Sequence, residues 1–381
     1  MTNSLPSGFR RRTFLTTTAL AAGALATPAW AQRPKSGTNA GTIFQVVDMS
    51  AAQIDISKDF LIGSRAGWQE LNARGGVNGK PVRHVVVEVD GSAASLQSAI
   101  ATLNTLPDCL AVVGTAGNLV AGQMASWMAR EAPDLAHVAP WLNNAPLDNQ
   151  TNTFGIFATR REQITHAIKS LSVMGVTELG AVFASPDEQA RNQNDMEQTA
   201  ASLKLRLRSY VANQGLPALA ASLRSDTPRI LIFLGGTPEL AQFAQGIEKQ
   251  AVQRYIVAMS DVNIQALQQL GVSRYTPIIA TQAVPLVNGN QPVVRAFRET
   301  LGRLYDEPPT PQSLAGYLSV RYTQDTLLSL EGPLTRANVL QSFARRMPAD
   351  VGGFRVNPAL RRTASAYVTQ SMMAADGRLV G

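Results

Sequence analysis

The chain has 381 residues, 45% hydrophobic and 16% charged, with a formal net charge of +7. That length and apolar share suffice for two cores, and the low charge without long low-complexity tracts excludes a largely disordered chain. Arg10, Arg11 and Arg12 lie in a segment expected to be removed; the +7 less those three arginines leaves about +4, and no dense basic stripe interleaved with aromatics points to nucleic acid. A solvated basic surface is the reading that remains. Cys109 is the single cysteine, so no intramolecular disulfide is possible, and its place before Leu110-Ala111-Val112-Val113 suits a small buried hydrophobe. His84, His137 and His166 lack metal-ligand spacing, which leaves zinc and Cys/His catalysis without support.

In chain order, residues 1–31 open with a polar, basic start, continue with an apolar run over 14–25 and end on Ala29-Trp30-Ala31. This is the three-part build of an export signal, with cleavage expected after Ala31. Arg11-Arg12-Thr13-Phe14-Leu15 resembles the twin-arginine motif, although Arg10 stands where Ser or Thr is usual and Thr16 where Lys is common, so the Sec route stays open. No cysteine follows the apolar run to carry a lipid anchor, and no other segment reaches the roughly 20 apolar residues that span a bilayer. The mature protein is expected to be soluble and in the periplasm.

After a Pro/Gly/Ser-containing lead, a first strand is expected at 43–47, followed by the most informative stretch, 59–90. There Phe60, Gly63, Gly67 and Leu71 share one helical face, where two glycines allow close approach of a neighbour. Gly75-Gly76 supplies a left-handed helix stop, Asn78-Gly79 turns the chain, and the run 85–87 suits a strand covered on both faces. Further strands are expected at 82–89 (which holds that run), 110–113, 136–139, 179–183, 230–234, 255–259 and 278–282, with 354–356 and 364–369 near the end. Helical patterns at 163–174, 195–203, 239–250 and 294–305 alternate with them. The alternation predicts an α/β protein with parallel sheets covered by helices on both faces. Breaks at 149–161 and 281–290 interrupt the pattern.

The wording Asn72-Ala73-Arg74-Gly75-Gly76-Val77-Asn78-Gly79 just before the second strand resembles the branched-chain amino acid (Leu/Ile/Val)-binding family of extracytoplasmic solute-binding proteins. The resemblance covers nearly all of the chain after the signal and implies a type I periplasmic-binding-protein fold, two similar lobes joined by three crossovers. On that template the first lobe takes 42–154 and 284–353, the second 155–283 and 354–381. It also implies a small-molecule ligand, closure of the lobes over it, and an ABC permease and ATPase complex as membrane partner.

In open parallel sheets, ligands bind beyond the carboxyl ends of strands, where helix N-termini and loop donors converge. Five such ends carry polar groups: Gly114–Asn118, Pro140–Asn143, Ser185–Glu188, Gly235–Glu239 and Ser260–Asn263. Matched to the family's loops, Asn118 takes the place of a usual serine and Asn143 that of a threonine. Gln189-Ala190 stands where an aromatic and glycine are common, and Thr237 falls in a loop that has likewise lost its aromatic. Asp261 falls where an acid holds a ligand ammonium, and Ser57 where another contact is often placed. Trp141 is expected at an exposed cleft position able to cover an apolar or ring-shaped ligand. The ligand-binding set is therefore Ser57, Asn118, Trp141, Asn143, Gln189, Thr237 and Asp261. Asn118, Asn143, Ser57 and Asp261 equally suit helix caps, Thr237 and Ser185 suit them better, and Trp141 has core packing as its alternative. Asp187-Glu188 reads as a solvated helix start, and Arg160-Arg161 and Arg345-Arg346 as surface charge.

Enzyme signatures are missing: Gly114–Gly117 is not G-x-G-x-x-G, Gly75–Lys80 is one residue short of a phosphate loop, and no G-x-S-x-G elbow occurs. The expectation is a binding protein for an amino acid or its derivative first, an aromatic or other carboxylate second, working as a monomer without metal or cofactor. Its rivals are a ligand sensor for a membrane signalling system and, behind it, an exported α/β enzyme.

Overall fold

The computed structural model describes residues 39–143, 151–248, 250–272, 276–345, 347–357, 367–373 and 379–380. The expected export signal, Asn144, Arg346 and the first half of the expected strand 364–369 lie outside them. The chain runs β1 (Gly41–Asp48), α1 (Ile54–Ala73), β2 (Val82–Val89), α2 (Ala93–Asn104), β3 (Cys109–Val113), α3 (Asn118–Glu131), β4 (Ala136–Val138) and β5 (Thr153–Phe154). It continues with α4 (Arg160–Val173), β6 (Glu178–Phe183), α5 (Pro186–Ser202), β7 (Arg206–Val211), α6 (Leu216–Ser222), β8 (Ile230–Leu234), α7 (Thr237–Ile247), β9 (Tyr255–Ala258), α8 (Ile264–Gln269) and β10 (Ile278–Gln282). Last come α9 (Pro292–Leu304), α10 (Pro311–Leu328), α11 (Arg336–Ala344), β11 (Ala349–Val351), β12 (Phe354–Val356), β13 (Thr369–Met373) and β14 (Leu379–Val380).

The strands form two separate main sheets. The first, in the order β2-β1-β3-β4-β5, is parallel throughout. The second, β14-β13-β10-β9-β8-β6-β7, is parallel except where β13 and β14 add antiparallel strands at one side. Each sheet is packed on both faces, the first by the clusters around Phe60 and Val112 and the second by those around Phe233 and Ile232. These are two doubly wound lobes of the type I binding-protein fold.

Core membership places the passages between lobes. Phe157 and Ala158 belong to the first lobe's core and Ile164 to the second's; Ala280 belongs to the second and Ala283 to the first. Phe354 and Val356, expected in the second lobe, pack instead in the first lobe's core, and Tyr367 and Val368 pack against it before Thr369 opens β13.

The stretch 59–90 folds by the rules its residues suggest. Gly76 N–H donates to Leu71 O (2.9 Å) and Gly75 N–H to Asn72 O (3.1 Å), the paired bonds of a Schellman stop. Asn78 and Gly79 both take positive φ (52° and 76°), closing a two-residue turn bridged by Val77 and Lys80. The neighbour admitted by the helical glycines is α10. A Cβ on Gly63 would lie 1.7 Å from Ser313 O, and one on Gly316 would lie 1.9 Å from Phe60 O, so the two helices meet backbone to backbone. Because 14 of the 18 residues of α10 are buried, no polar face marks it in the sequence. Expected double coverage of 85–87 is only partial, because β2 is the sheet's edge and Val85, Val86 and Val87 are half-buried. At the other lobe's edge, β7 mixes exposed and half-buried residues and shows no apolar run.

Candidate ligand site between the lobes

Five loops at strand ends meet in one seam. Gly114 and Gly117 hold left-handed backbone (φ 65° and 106°), and a Cβ on Gly117 would strike Asp48 Cβ at 2.5 Å, so the turn from β3 into α3 requires glycine there. Beyond β4, buried Ala139 holds a positive φ of 48°, an unusual state for a residue with a side chain. It turns the chain into Pro140–Asn143. From the second lobe, Thr159 starts α4 with a capping box to Glu162, and Ser260–Asn263 leads from β9 into α8.

Asn118, Asn143 and Asp261 come together. Asn118 Oδ1 accepts from Asn143 N–H (2.7 Å), which fixes the amide's orientation, and its Nδ2 donates to Asp261 Oδ1 (2.5 Å). Asn143 Nδ2 donates to the same Asp261 oxygen (3.0 Å) and to Ser260 Oγ (3.2 Å). Arg160 Nη2 donates to Asp261 Oδ2, and Arg160 N–H donates to Asn143 O (2.7 Å). Arg160 was expected as surface charge; its side chain is only 4% exposed, because the start of α4 faces Asp261 rather than water. Below this group, Gln163 Oε1 accepts from Ser260 N–H (3.0 Å), and Gln312 Nε2 at the start of α10 donates to Ser260 O (3.2 Å).

Thr237 and Asn263 form a second tie. Asn263 N–H donates to Thr237 Oγ1 (2.9 Å), while Asn263 Nδ2 donates across the seam to Asp55 O (3.1 Å) and Asp59 Oδ2 (3.0 Å). Burial raises the pKa of both Asp55 and Asp59, opposed by hydrogen bonds from Thr237 to Asp55 and from Thr310 and Asn263 to Asp59. The cap of α8 is Asn263, not Asp261.

The other expected site residues stand apart. Trp141 is wholly buried between Phe60 (centroids 6.0 Å) and Phe157 (5.1 Å), in the first lobe's core rather than on an exposed cleft wall. A strand-end position does not distinguish the two, and three aromatic rings packing together decide it. Gln189 is half-buried and donates within its own helix to Gln193 Oε1 (2.5 Å). Ser57 is fully buried on α1, caps nothing, and its Oγ has no hydrogen-bond partner. Asn143 Oδ1, Gln312 Oε1, and Arg160 Nε and Nη1 are also buried and unpartnered. Each such atom costs about 1–3 kcal/mol if left so, and those of Asn143, Arg160 and Gln312 lie on side chains bonded to Ser260 or Asp261. Sequence reasoning missed Arg160, Gln163, Asn263 and Gln312 as site residues; the capping box of Thr159 and Glu162, seen in the structure, is the local signal that could have placed a helix start beside Arg160.

Two cavities, about 510 Å³ beside Tyr322 and Arg345 and about 350 Å³ beside Trp68 and His84, lie on the first lobe and share no lining residue with the seam. Convergent polar atoms, not volume, identify the seam. Among the described residues, no His/Cys/Asp/Glu group is arranged to hold a metal, and no helix is long and apolar enough to cross a membrane.

Two doubly wound lobes, three chain passages and polar strand ends facing across a seam define the type I class of solute-binding protein. A family model described as a periplasmic binding protein matches residues 42–376, and the chain belongs to that family. No curated protein sequence matches it. In fold it is similar to an extracellular ligand-binding receptor from Verminephrobacter eiseniae (TM-score 0.79, 17% identity, 89% of this chain and 99% of that one). It is also similar to a fatty acid ABC transporter substrate-binding protein from Thermomonospora curvata (TM-score 0.76, 16% identity, 90% and 91%). A third is the branched-chain amino acid transporter substrate-binding protein LivJ from Streptococcus pneumoniae, solved with isoleucine (TM-score 0.76, 13% identity, 89% and 97%).

Proposed function

We propose that this chain is exported to the periplasm, captures a small organic solute between its lobes, and presents it to an ABC importer. One observation carries the reading: Asn143, Arg160 and Gln312, each with buried polar atoms lacking partners, meet Ser260 and Asp261 where the strand ends of two lobes face each other. Such a seam is complementary to a compact molecule contacted from both sides, and closure by hinge motion would bury those contacts. Isoleucine in one fold neighbour and the fatty acids named for another both carry a carboxylate. That shared group favours a carboxylate-bearing solute here, with amino acids and their derivatives included. Binding without conversion is expected, since among the described residues no nucleophile and base are paired in the seam.

A metabolite panel read by thermal shift, with hits titrated calorimetrically, tests this. A hit recovered unchanged after prolonged incubation supports capture, whereas consumption of the hit makes the protein an enzyme and sinks the proposal. Co-purification of a tagged chain with the permease, only when the hit is present, tests delivery.

A further inference from the structure

The seam contains a guanidinium with donors to spare and a carboxylate whose acceptor sites are mostly taken. Asp261 Oδ1 already accepts from both Asn118 and Asn143, and its Oδ2 accepts from Arg160. An ammonium arriving at Asp261 would find only the remaining acceptor site on Oδ2, beside the like-charged Arg160 guanidinium. Arg160, by contrast, uses Nη2 on Asp261 and leaves Nε and Nη1 without hydrogen-bond partners, although its side chain is only 4% exposed. Nη1 lies 3.7 Å from Glu188 Oε2, an ion pair beyond hydrogen-bond range, and Glu188 is itself held by Arg191 Nη1 (3.1 Å) and Asn192 Nδ2 (3.0 Å). Arg160 and Arg191 face Asp261 and Glu188, and Asp55 and Asp59 add further acid to the seam, so recognition of a carboxylate rests on free donors rather than net field. Guanidinium donors match a carboxylate, and a bond between ionised partners in a desolvated site is among the strongest available.

Resting on the solute-capture reading, we infer that Arg160 is the ligand-binding cation and that the solute is an organic carboxylate seated there, with no ammonium contact at Asp261. Asp261 positions the guanidinium, and the two asparagines fix Asp261.

The test is calorimetric titration of the mature chain with two matched probe pairs: 4-methylpentanoate against 3-methylbutylamine, and benzoate against benzylamine. The carboxylate of at least one pair should bind and neither amine should. Replacing the guanidinium (R160Q) should weaken the bound carboxylate about tenfold or more, with partial recovery in R160K, which keeps the charge but loses the planar fork. D261N should leave both amines unbound. Binding of an amine that D261N abolishes would overturn the inference, as would carboxylate affinity unchanged in a folded R160Q. If R160Q does not fold, the wild-type comparison of each pair decides. If neither these carboxylates nor any in the metabolite panel binds, the inference fails, while solute capture then stands or falls on the panel's amines and neutral compounds.

Discussion

Replacing Gly63 by Ala is the most direct challenge to the packing that sets the seam's floor. The new Cβ would sit 1.7 Å from Ser313 O, 2.7 Å from Ser313 C and 2.9 Å from Tyr317 N, all backbone atoms of α10 that no rotamer change can move. Restoring an ordinary carbon–oxygen contact near 3.3 Å requires the helices to part by roughly 1.6 Å along that line. Parting them also stretches Gln324 Nε2 to Gly67 O (2.8 Å) and Tyr317 OH to Glu70 Oε2 (2.5 Å). Gaps of that size forfeit much of the dispersion attraction along the interface, so the loss should reach about 3 kcal/mol, the upper end for an overpacked core. Gly67→Ala meets only Val320 side-chain atoms at 2.9 Å and should cost about 1–2 kcal/mol. Gly302→Ala, with nothing within 4 Å inside α9, should stabilise by about 0.5–1 kcal/mol. Urea unfolding followed by tryptophan fluorescence reads this series cleanly, because Trp68, Trp127 and Trp141 all lie in first-lobe cores. A Gly63→Ala midpoint equal to wild type, or below which Gly302→Ala falls, would mean that α1 and α10 do not meet through their backbones.

Trp141→Ala should cost about 3–5 kcal/mol of stability by circular dichroism, as the loss of a buried aromatic does; a variant as stable as wild type would return Trp141 to the ligand. Acid should destabilise the protein through His137, fully buried with its pKa lowered to about 3 against the ordinary 6.5. Between those values the unfolded chain binds the proton and the folded chain does not, so this contribution is complete above pH 6.5 and falls as pH drops toward 3. By pH 4 the loss is about 3 kcal/mol, and His137→Gln should flatten the pH dependence of the urea midpoint over that window; an unchanged slope would show that His137 titrates normally. Cys109 is fully buried with its thiol pushed up to about 11, chiefly by burial, so a disulfide reagent at pH 8 should label it only after unfolding. Stoichiometric labelling of the native protein would contradict that placement.

The fold was legible where local rules and burial agree. Most apolar runs became strands with bounds within two residues, and the glycine pairs at 63/67 and 75/76 each did what their missing side chains allow. Strands at sheet edges were harder, because β7 carries Arg206, Arg208 and Ser209 among its residues and shows little apolar signal. The site was half legible. Asn118, Asn143, Thr237 and Asp261 follow strand ends, where loop donors converge whatever the ligand. Arg160 was not, since a neighbouring pair of arginines normally reads as surface charge, and its partner Asp261 lies 101 residues away in the chain. Trp141 shows the converse error: position along a strand end is fixed locally, but whether it faces a cleft or a core depends on Phe60 and Phe157 arriving from elsewhere.

A polar seam also suits the reversible closure proposed for these lobes. Between the lobes, Asp261, Ser260 and Asn263 of one side meet Asn118, Asn143, Asp55, Asp59 and Gln312 of the other through hydrogen bonds rather than apolar contact. Each such bond contributes only about 0.5–1.5 kcal/mol net, because water replaces it when the surfaces part. An apolar seam of the same extent would resist opening in proportion to its area. The Arg160–Asp261 pair fits this logic, since burying two charges seldom adds stability of its own, yet removing one partner strands the other. Neither residue is therefore explained by holding the lobe together. Both are explained if the closed seam is completed by a third charged group that arrives with the solute and leaves with it.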